Sequence, residues 1–214
     1  MTDIPRIPAT FGGPGFALRE GSHRDDLGRL WQACGVDSEW EELRQVMLAW
    51  PPDSLDFEGD PDPHLMLEKP DLELARLQAE LIGDFLETQG VQVHWARPEA
   101  DPPPNFLFMR DLFLMTPEGA ILARPASPVR AGEARAAAEC LAKAGIPILA
   151  TIHGDGIMEG ADCLWMRSDL LLIGVGHRTN PAGLAQLVGT LSRLGVATRS
   201  VPVPRGAQHL LGVV

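Results

Sequence analysis

The sequence is poor in cysteine, with three in 214 residues. Cys34, Cys140 and Cys163 give neither an even disulfide framework nor a spacing that binds zinc. A disulfide-stabilised scaffold and a zinc module are therefore not indicated. We interpret the three side chains as reduced thiols, mostly packed in the interior.

Long apolar segments are also missing. No run reaches the roughly 18 to 20 residues that a membrane-spanning helix needs. Residues 1–5 have neither the basic start nor the apolar stretch of a secretory signal. The sequence therefore predicts a soluble, cytoplasmic protein.

Positive charge is scarce, since 18 lysines and arginines stand against 29 acidic residues and give a net charge of -11. Only Lys69 and Lys143 are lysines, and the arginine bias is one that a genome of high GC content also produces. A surface of this sign repels nucleic acid and anionic membranes as a whole, so neither is expected as a partner. Local arginine pockets stay compatible with this composition.

The composition that is present, 45% apolar and 22% charged residues, is that of a globular protein long enough to bury a core. We predict an N-terminal arm with a short helix over residues 1–42 and one domain of repeated units over residues 43–214. Proline and glycine make regular structure unfavourable in residues 1–22, and residues 24–34 have helical spacing. The sequence does not fix the oligomeric state, and a homo-oligomer is left open.

Two segments repeat one pattern of strand, strand, helix and strand. Asp111 and Asp162 occupy equivalent places 51 residues apart, a period typical of blades or stacked units. The predicted elements of the first copy are strands 112–115 and 120–123, helix 132–144 and strand 146–150; those of the second are strands 163–166 and 170–173, helix 181–194 and strand 196–201.

A third, looser copy precedes them, with strand 43–50, an exposed loop over residues 51–70, helix 71–89 and strand 91–95. The loop contains five prolines and scattered carboxylates. The helix carries one apolar stripe, formed by Leu72, Leu74, Leu77, Leu81, Phe85 and Leu86. Residues 202–214 are predicted to form a turn and one more apolar strand, so we expect the sequence to end inside a fourth unit. Sheet and helix faces that a missing unit would cover are then expected to be exposed.

Four polar motifs lie at strand starts or in the loops between strand and helix. They are Asn105 with residues 108–111, residues 159–162, residues 177–180 and residues 208–210. A repeat array collects side chains from such places at one end of its axis. The sequence therefore predicts a single site there.

These motifs, in this order and spacing, resemble the guanidino-modifying enzymes of the pentein superfamily: arginine deiminases, dimethylarginine dimethylaminohydrolases, and glycine or inosamine amidinotransferases. The resemblance covers roughly residues 43–209. It implies an α/β-propeller of five strand-strand-helix-strand units, of which about three and the start of a fourth are present. It also implies hydrolysis or amidino transfer on the guanidino group of arginine or a derivative, with a small guanidino amino acid as partner and no cofactor.

Carried over residue by residue, the resemblance makes Asp111 and Glu159 the carboxylates that clamp the guanidinium, and His209 the general acid and base. Phe108 would pack on the guanidinium or its alkyl stem. Two carboxylates in one plane suit this ligand because a guanidinium is flat, cationic and rich in N–H donors.

Three further residues, Asn105, Arg130 and Arg178, match positions that hold the amino-acid end of the substrate in arginine deiminases. Arg130 follows Asp111 by nineteen residues, and Arg178 follows Glu159 by the same offset. This makes an amino acid a better candidate than agmatine.

The pattern departs from the family at two points. The family's catalytic cysteine lies in the fifth unit, so the nucleophile is expected beyond residue 214, and Cys163 is expected to point into packing. Leu211 stands where deiminases and amidinotransferases have an aspartate, which favours a dimethylargininase-like hydrolase. The alternatives are a non-catalytic pentein binding protein and a fragment without activity of its own.

Metal binding is not expected, because residues 153–155 and 60–64 lack zinc or calcium spacing. Asp162 is expected to bond backbone amides rather than substrate. Residues 178–181 also form a good helix entry, with Asn180 as the cap and Pro181 in the first turn.

Overall fold

The computed structural model describes residues 7–213, in which three strand-and-helix units follow a short N-terminal helix. The N-terminal helix is α1, His23–Asp26. The first unit consists of β1 Gln45–Ala49, α2 Leu72–Thr88 and β2 Gln92–Ala96; the second of β3 Phe113–Thr116, β4 Gly119–Leu122, α3 Glu133–Lys143 and β5 Ile148–Thr151; the third of β6 Cys163–Arg167, β7 Leu170–Val175, α4 Pro181–Arg193 and β8 Ala197–Pro202.

The sheets confirm the predicted repeat. In the second and third units an antiparallel hairpin, β3–β4 or β6–β7, is extended by a parallel strand, β5 or β8. The first unit has the parallel pair β1–β2 alone. A helix connects each parallel pair, as a crossover between parallel strands requires. Within residues 7–213 the three sheets stay separate.

Local signals begin and end the helices where the sequence predicts. The side chain of Asp71 accepts a hydrogen bond from the Leu74 amide at the start of α2, and that of Asn180 accepts one from Gly183 at the start of α4. Gly145 follows α3 with a φ of 73°, in the left-handed region where glycine is unstrained. These caps explain why the observed boundaries of α2, α3 and α4 differ from the predicted ones by only one or two residues.

Two apolar clusters form the core. The first joins the start of the second unit to α3 and the strands of the first unit, and the second fills the space between the sheets of the second and third units and α4. Trp165, Met158 and Leu187 in the second cluster are almost fully buried. The clusters hold adjacent units together.

The predicted helix over residues 24–34 is wrong beyond its first turn. The helix ends at Asp26, whose carbonyl accepts hydrogen bonds from the amides of Arg29, Leu30 and Trp31. Gly28 follows with a φ of 76°, a backbone conformation that no right-handed helix contains. The apolar residues do have helical spacing, but the turn at Gly28 prevents the helix from continuing.

The predicted closing strand is also absent. Residues Leu210–Gly212 form a 3-10 turn instead. The Leu210 amide donates to a carboxylate oxygen of Asp162 at 3.0 Å, and the Leu210 side chain is buried. This side-chain partner takes a backbone donor that a strand ladder would have used.

The apolar stripe of α2 is only partly a core face. Gly83 packs against the first sheet so closely that an added Cβ would meet Trp95 at 2.5 Å. Leu74, Leu77, Leu81 and Phe85, however, are 50–63% exposed. These four apolar side chains of α2 therefore form an exposed face in the structure.

The predicted division at residue 42 stays a prediction. The side chain of Glu39 accepts a hydrogen bond from the Trp165 amide at 3.0 Å, so the segment before β1 contacts the third unit. Residues 1–6 of the predicted arm lie outside the described residues.

No helix within residues 7–213 has the length and apolarity to cross a membrane.

Candidate active site

Three turns at equivalent places of the repeat supply the central side chains. Asp111 ends the 3-10 turn before β3, Glu159 precedes the turn before β6, and His209 precedes the turn after β8. Gly160 lets the second and third units approach, because an added Cβ would lie 2.4 Å from the Phe113 carbonyl oxygen and 2.5 Å from that of Arg110. The sequence prediction that these motifs converge is consistent with this arrangement.

The carboxylates of Asp111 and Glu159 lie beside the imidazole of His209. His209 Nε2 is 2.7 Å from Glu159 Oε2 and 3.8 Å from Asp111 Oδ1. All three residues are buried, Glu159 completely so. The imidazole of His209 thus contacts Glu159 and lies near Asp111.

Arg130 occupies the space between these carboxylates. Its Nη1 donates to Asp111 Oδ2 at 2.6 Å and to Glu159 Oε2 at 3.4 Å. Its Nε and Nη2 donate to Glu133 Oε2 at 2.9 and 2.7 Å, and Nη2 also donates to the Asn105 carbonyl at 3.3 Å. Every guanidinium nitrogen of Arg130 is therefore engaged within the site.

Arg178 binds the other side of Glu159. Its Nη1 lies 3.2 Å from Oε1 and 3.4 Å from Oε2. Its side chain is 13% exposed, compared with 2% for Arg130. Arg178 is thus the more accessible of the two arginines.

Asp162 holds two segments next to the cluster through hydrogen bonds. One of its oxygens accepts the Thr179 hydroxyl at 2.6 Å, and the other accepts the Leu210 amide next to His209. The Thr179 oxygen in turn accepts the Glu159 amide at 3.4 Å. Asp162 therefore fixes backbone on both sides of the site, as expected, and binds a hydroxyl that the sequence did not reveal.

The surroundings of Glu159 favour its charged form. Burial is the largest influence and would raise its pKa, but the hydrogen bonds from His209 and the Ala126 amide and the charges of Arg178 and Arg130 together lower it to about 2. Glu159 is thus an anion throughout the physiological range, able to hold a cation in the site.

Glu133 has the opposite character. Burial raises the pKa of Glu133 to about 7, although the hydrogen bonds and charge of Arg130 oppose this shift. Its Oε1 is buried and has no hydrogen-bond partner among residues 7–213. Burial lowers the pKa of Arg130, but its contacts with Glu133 and Asp111 outweigh burial and leave that pKa raised. Arg130 is therefore firmly cationic, whereas Glu133 changes charge near neutral pH.

A cavity of about 420 Å³ opens onto the cluster. One side comes from the predicted site motifs, and the other from the loop between β1 and α2, which the sequence indicated only as exposed. The lining residues are Leu55, Leu65, Met66, Leu67, Glu68, Pro70, Asn105, Leu107, Phe108, Asp111, Arg130, Arg178, Gln208 and His209.

Phe108 and Asn105 contribute to the cavity wall in different ways. The Phe108 ring is 49% exposed, and its centroid lies 6.0 Å from the guanidinium carbon of Arg130. Asn105 is buried, and its side-chain amide donates to the His64 carbonyl at 2.7 Å. In this structure Asn105 thus holds the opposite loop.

Sequence reasoning missed Glu133 and the loop side of the cavity. Glu133 follows Arg130 by three residues, a spacing that places ion pairs on one face of a helical turn and could have suggested the contact. The loop carries no comparable signal, because its position depends on the Asn105 contact, which joins segments 41 residues apart.

The three cysteines lie away from the cavity lining. Cys163 is fully buried in β6, where burial raises its pKa to about 12. Burial also raises the pKa of Cys140 to about 11 and that of Cys34 above its ordinary value. A raised pKa opposes thiolate formation and hence nucleophilic attack.

The central cluster also has the donor set of a metal site, since ligand atoms of Asp111, Glu159 and His209 lie within 4.8 Å of one another. However, Arg130 already donates to both carboxylates, and Arg178 donates to Glu159. Both carboxylates are therefore already charge-paired, and any cation that enters the site must displace Arg130 Nη1.

Comparison with known proteins adds an independent line of observation. Residues 85–204 match the arginine deiminase family model. The chain is 30% identical over 154 residues to N(G),N(G)-dimethylarginine dimethylaminohydrolase of Streptomyces coelicolor, which covers 71% of this chain and 57% of that protein.

Solved structures of related proteins also resemble this chain. The dimethylarginine dimethylaminohydrolase of Pseudomonas aeruginosa, solved as a cysteine-to-serine variant with citrulline, matches 78% of this chain and 64% of its own with a TM-score of 0.64 and 26% identity. An amidinotransferase of Microseira wollei shares the fold at a TM-score of 0.59 and 16% identity, over 82% of this chain and 64% of its own. The chain thus spans less than two thirds of the length of these relatives.

Proposed function

The chain belongs to the arginine deiminase family, within the guanidino-modifying enzymes of the pentein superfamily, and from this premise we propose that its Asp111–Glu159–His209 cluster binds the guanidino group of arginine or an arginine derivative for hydrolysis or amidino transfer. Its three units have the α/β-propeller fold of that superfamily, without closing into a barrel. The relatives named above are enzymes of this chemical class.

The observation that carries the proposal is the binding of Arg130. A guanidinium already lies between Asp111 and Glu159, and its carbon faces the Phe108 ring. These are the contacts expected for a substrate guanidinium, namely charge-assisted hydrogen bonds and an aromatic face. The site is therefore suited in charge and shape to this ligand group.

Substrate binding would require Arg130 Nη1 to give up its bonds to the two carboxylates. The paired bonds of Nε and Nη2 to Glu133 can hold Arg130 while this happens. Arg178, being more accessible, is the better ligand for a substrate carboxylate, and Arg130 and Asn105 take secondary parts in our proposal.

In the proposed reaction a thiolate attacks the central guanidino carbon, and a carbon–sulfur bond forms. His209 gives its proton to the departing amine as the carbon–nitrogen bond breaks. His209 then takes a proton from water or an acceptor amine, which attacks the same carbon and releases the thiolate. Asp111 and Glu159 offset the positive charge of the guanidino group throughout.

The nucleophile is proposed to be a cysteine other than Cys34, Cys140 and Cys163, supplied by polypeptide beyond residue 214. The positions of these three thiols away from the cavity, and the raised pKa of each, support the proposal of a different cysteine. The same observation favours a second candidate, a binding protein that holds a guanidino ligand without converting it.

Calorimetric titration with L-arginine, dimethylarginine and agmatine tests the proposal. Asp111→Asn should raise the Kd of each ligand about tenfold or more, because it removes a charge-assisted bond. Asp84→Asn, on the exposed side of α2, is the matched control and should leave Kd unchanged. If the unmodified chain binds none of these ligands, the proposal fails.

Assays of citrulline formation separate the two candidates. Turnover by the chain extended with a cysteine-bearing C-terminal segment of a relative, lost in His209→Ala while ligand binding is retained, supports the enzyme. Binding that depends on Asp111 but gives no product, even when the chain is extended by a cysteine-bearing C-terminal segment of a relative, supports the binding protein.

A further inference from the structure

One acidic side chain of the cavity has no function in the proposed site. Glu68 lines the cavity from the loop between β1 and α2 and is exposed to it. Its carboxylate makes no hydrogen bond or ion pair with any other residue between 7 and 213. The other lining carboxylate, Asp111, is bound to Arg130. Glu68 is therefore the lining residue that offers an unpaired negative charge.

The loop that carries Glu68 is held in place rather than merely solvated. The Asn105 side chain donates to the His64 carbonyl at 2.7 Å, and the His64 ring stacks on Phe57 with centroids 4.0 Å apart. Lys69 Nζ lies 2.8 Å from a carboxylate oxygen of Asp56. These contacts fix the backbone on both sides of Glu68.

The same contacts separate the opposite charges of two neighbouring residues. Lys69 pairs with Asp56 outside the cavity lining, and this contact raises its pKa. Glu68 is left on the cavity side. Because Lys69, the adjacent residue of opposite charge, pairs with Asp56, the Glu68 carboxylate remains available to a ligand.

Apart from Arg130, whose guanidinium nitrogens are all engaged, the cavity lining presents three charged features to a ligand: Asp111 of the acidic cluster, Arg178 in the wall, and Glu68 on the loop side. A ligand that satisfies all three has a guanidinium, a carboxylate and a second cationic group. An α-amino acid with a guanidino side chain has this set.

We propose that Glu68 is a specificity-determining residue that binds the ammonium group of the substrate while the guanidinium lies at Asp111 and Glu159. The proposal rests on the function proposed above and adds a residue that distinguishes guanidino amino acids from guanidino acids without an amine. Because Glu68 is solvent-exposed, its contribution is that of an accessible ion pair and therefore moderate.

The test compares two ligands that differ in the amine alone, L-arginine and 5-guanidinopentanoic acid, by calorimetric titration. Glu68→Gln should raise the Kd of L-arginine about three- to tenfold, as loss of one partly exposed ion pair implies. It should leave the Kd of 5-guanidinopentanoic acid within about twofold. Agmatine, which keeps the amine and lacks the carboxylate, should weaken as L-arginine does.

Glu58→Gln is the control, since it removes the same charge from the same loop at an exposed residue outside the cavity lining. It should change none of the three Kd values. An equal change for all ligands, no change for L-arginine, or the same selective loss in Glu58→Gln would overturn the assignment of Glu68. Thermal unfolding of both variants checks that the fold is retained.

The two proposals fail in different ways. If 5-guanidinopentanoic acid binds and Asp111→Asn weakens it, the guanidinium site stands, and an unchanged Kd of L-arginine in Glu68→Gln rejects Glu68 alone. If the unmodified chain binds neither ligand, the proposed function and the role of Glu68 fall together.

Discussion

Arg130 Nη1 donates to Asp111 Oδ2 at 2.6 Å, and both residues belong to the second repeat unit, nineteen positions apart. Arg178 and Glu159, separated by the same nineteen positions, contact each other at 3.2 Å in the third unit. The same offset therefore gives one ion pair in each unit, and the two pairs meet because Arg130 also reaches Glu159. This meeting makes one site from two units.

The carboxyl of Glu133 should make stability depend on pH. Because its folded pKa of about 7 lies above the unfolded value, the native state binds its proton more tightly. Its stabilising contribution is present below about pH 4.5 and is lost as pH rises through about 7. We expect Glu133→Gln to reduce the fall in unfolding free energy between pH 4.5 and 7.5 by about 3 kcal/mol. Urea unfolding at the two pH values measures this, with Glu80→Gln, on α2, as the control.

Gly160 should tolerate no side chain. An alanine there would place its Cβ against two backbone carbonyl oxygens, so we expect a loss of about 2 kcal/mol or more in unfolding free energy and weaker binding at Glu159. Gly189→Ala is the matched control, because an added Cβ in this helix interior meets nothing within 4 Å. It should stabilise the protein by about 0.5 to 1 kcal/mol. Equal effects of the two substitutions would contradict the described approach of the units.

Cys163 should be inert in the folded protein. Since it is fully buried and burial raises its pKa to about 12, a thiol reagent should modify Cys34, which is partly exposed, well before Cys163. Labelling followed by mass spectrometry of peptides gives the order. Cys163→Ala should leave the Kd of L-arginine within about twofold, as expected for a residue outside the cavity. A large change in that Kd would show that Cys163 takes part in the site.

Replacing a buried helix leucine by alanine should cost more unfolding free energy than replacing an exposed one. Leu187→Ala in α4 removes a fully buried side chain, so a loss of about 2 to 5 kcal/mol is expected. Leu81→Ala in α2, where the side chain is 59% exposed, should cost less than about 1 kcal/mol, most of it through lost side-chain contacts at the surface. Chemical unfolding of the two variants compares them directly. Similar losses would mean that the exposed face of α2 is covered in solution.

Much of the fold could be predicted from periodicity, because each unit is specified locally. Asp71, Asn180 and the glycines after the helices mark boundaries that the structure keeps within one or two residues. The two failures have different causes, a distant partner in one case and the local backbone in the other. Asp162 takes the Leu210 amide from a strand ladder, and Gly28 ends the N-terminal helix despite suitable apolar spacing.

The candidate site was predicted in its members but not in its contacts. The family resemblance, together with the repeated nineteen-residue offset, indicated Asp111, Glu159, Arg130 and Arg178. No sequence pattern indicates, however, that Arg130 would lie between the carboxylates or that Glu133 would hold it. Such contacts depend on side-chain directions in two packed units, which periodicity does not encode.

The amino-acid sequence by itself determined the repeat, its period, the helices and the acidic and basic residues at equivalent turns, because these depend on neighbours within about one unit. Tertiary structure alone decided which charges meet, which thiols are buried and which carboxylate is left for a ligand. Those outcomes depend on burial and on hydrogen bonds between segments tens of residues apart, where a charge without a partner is costly and geometry selects the partner.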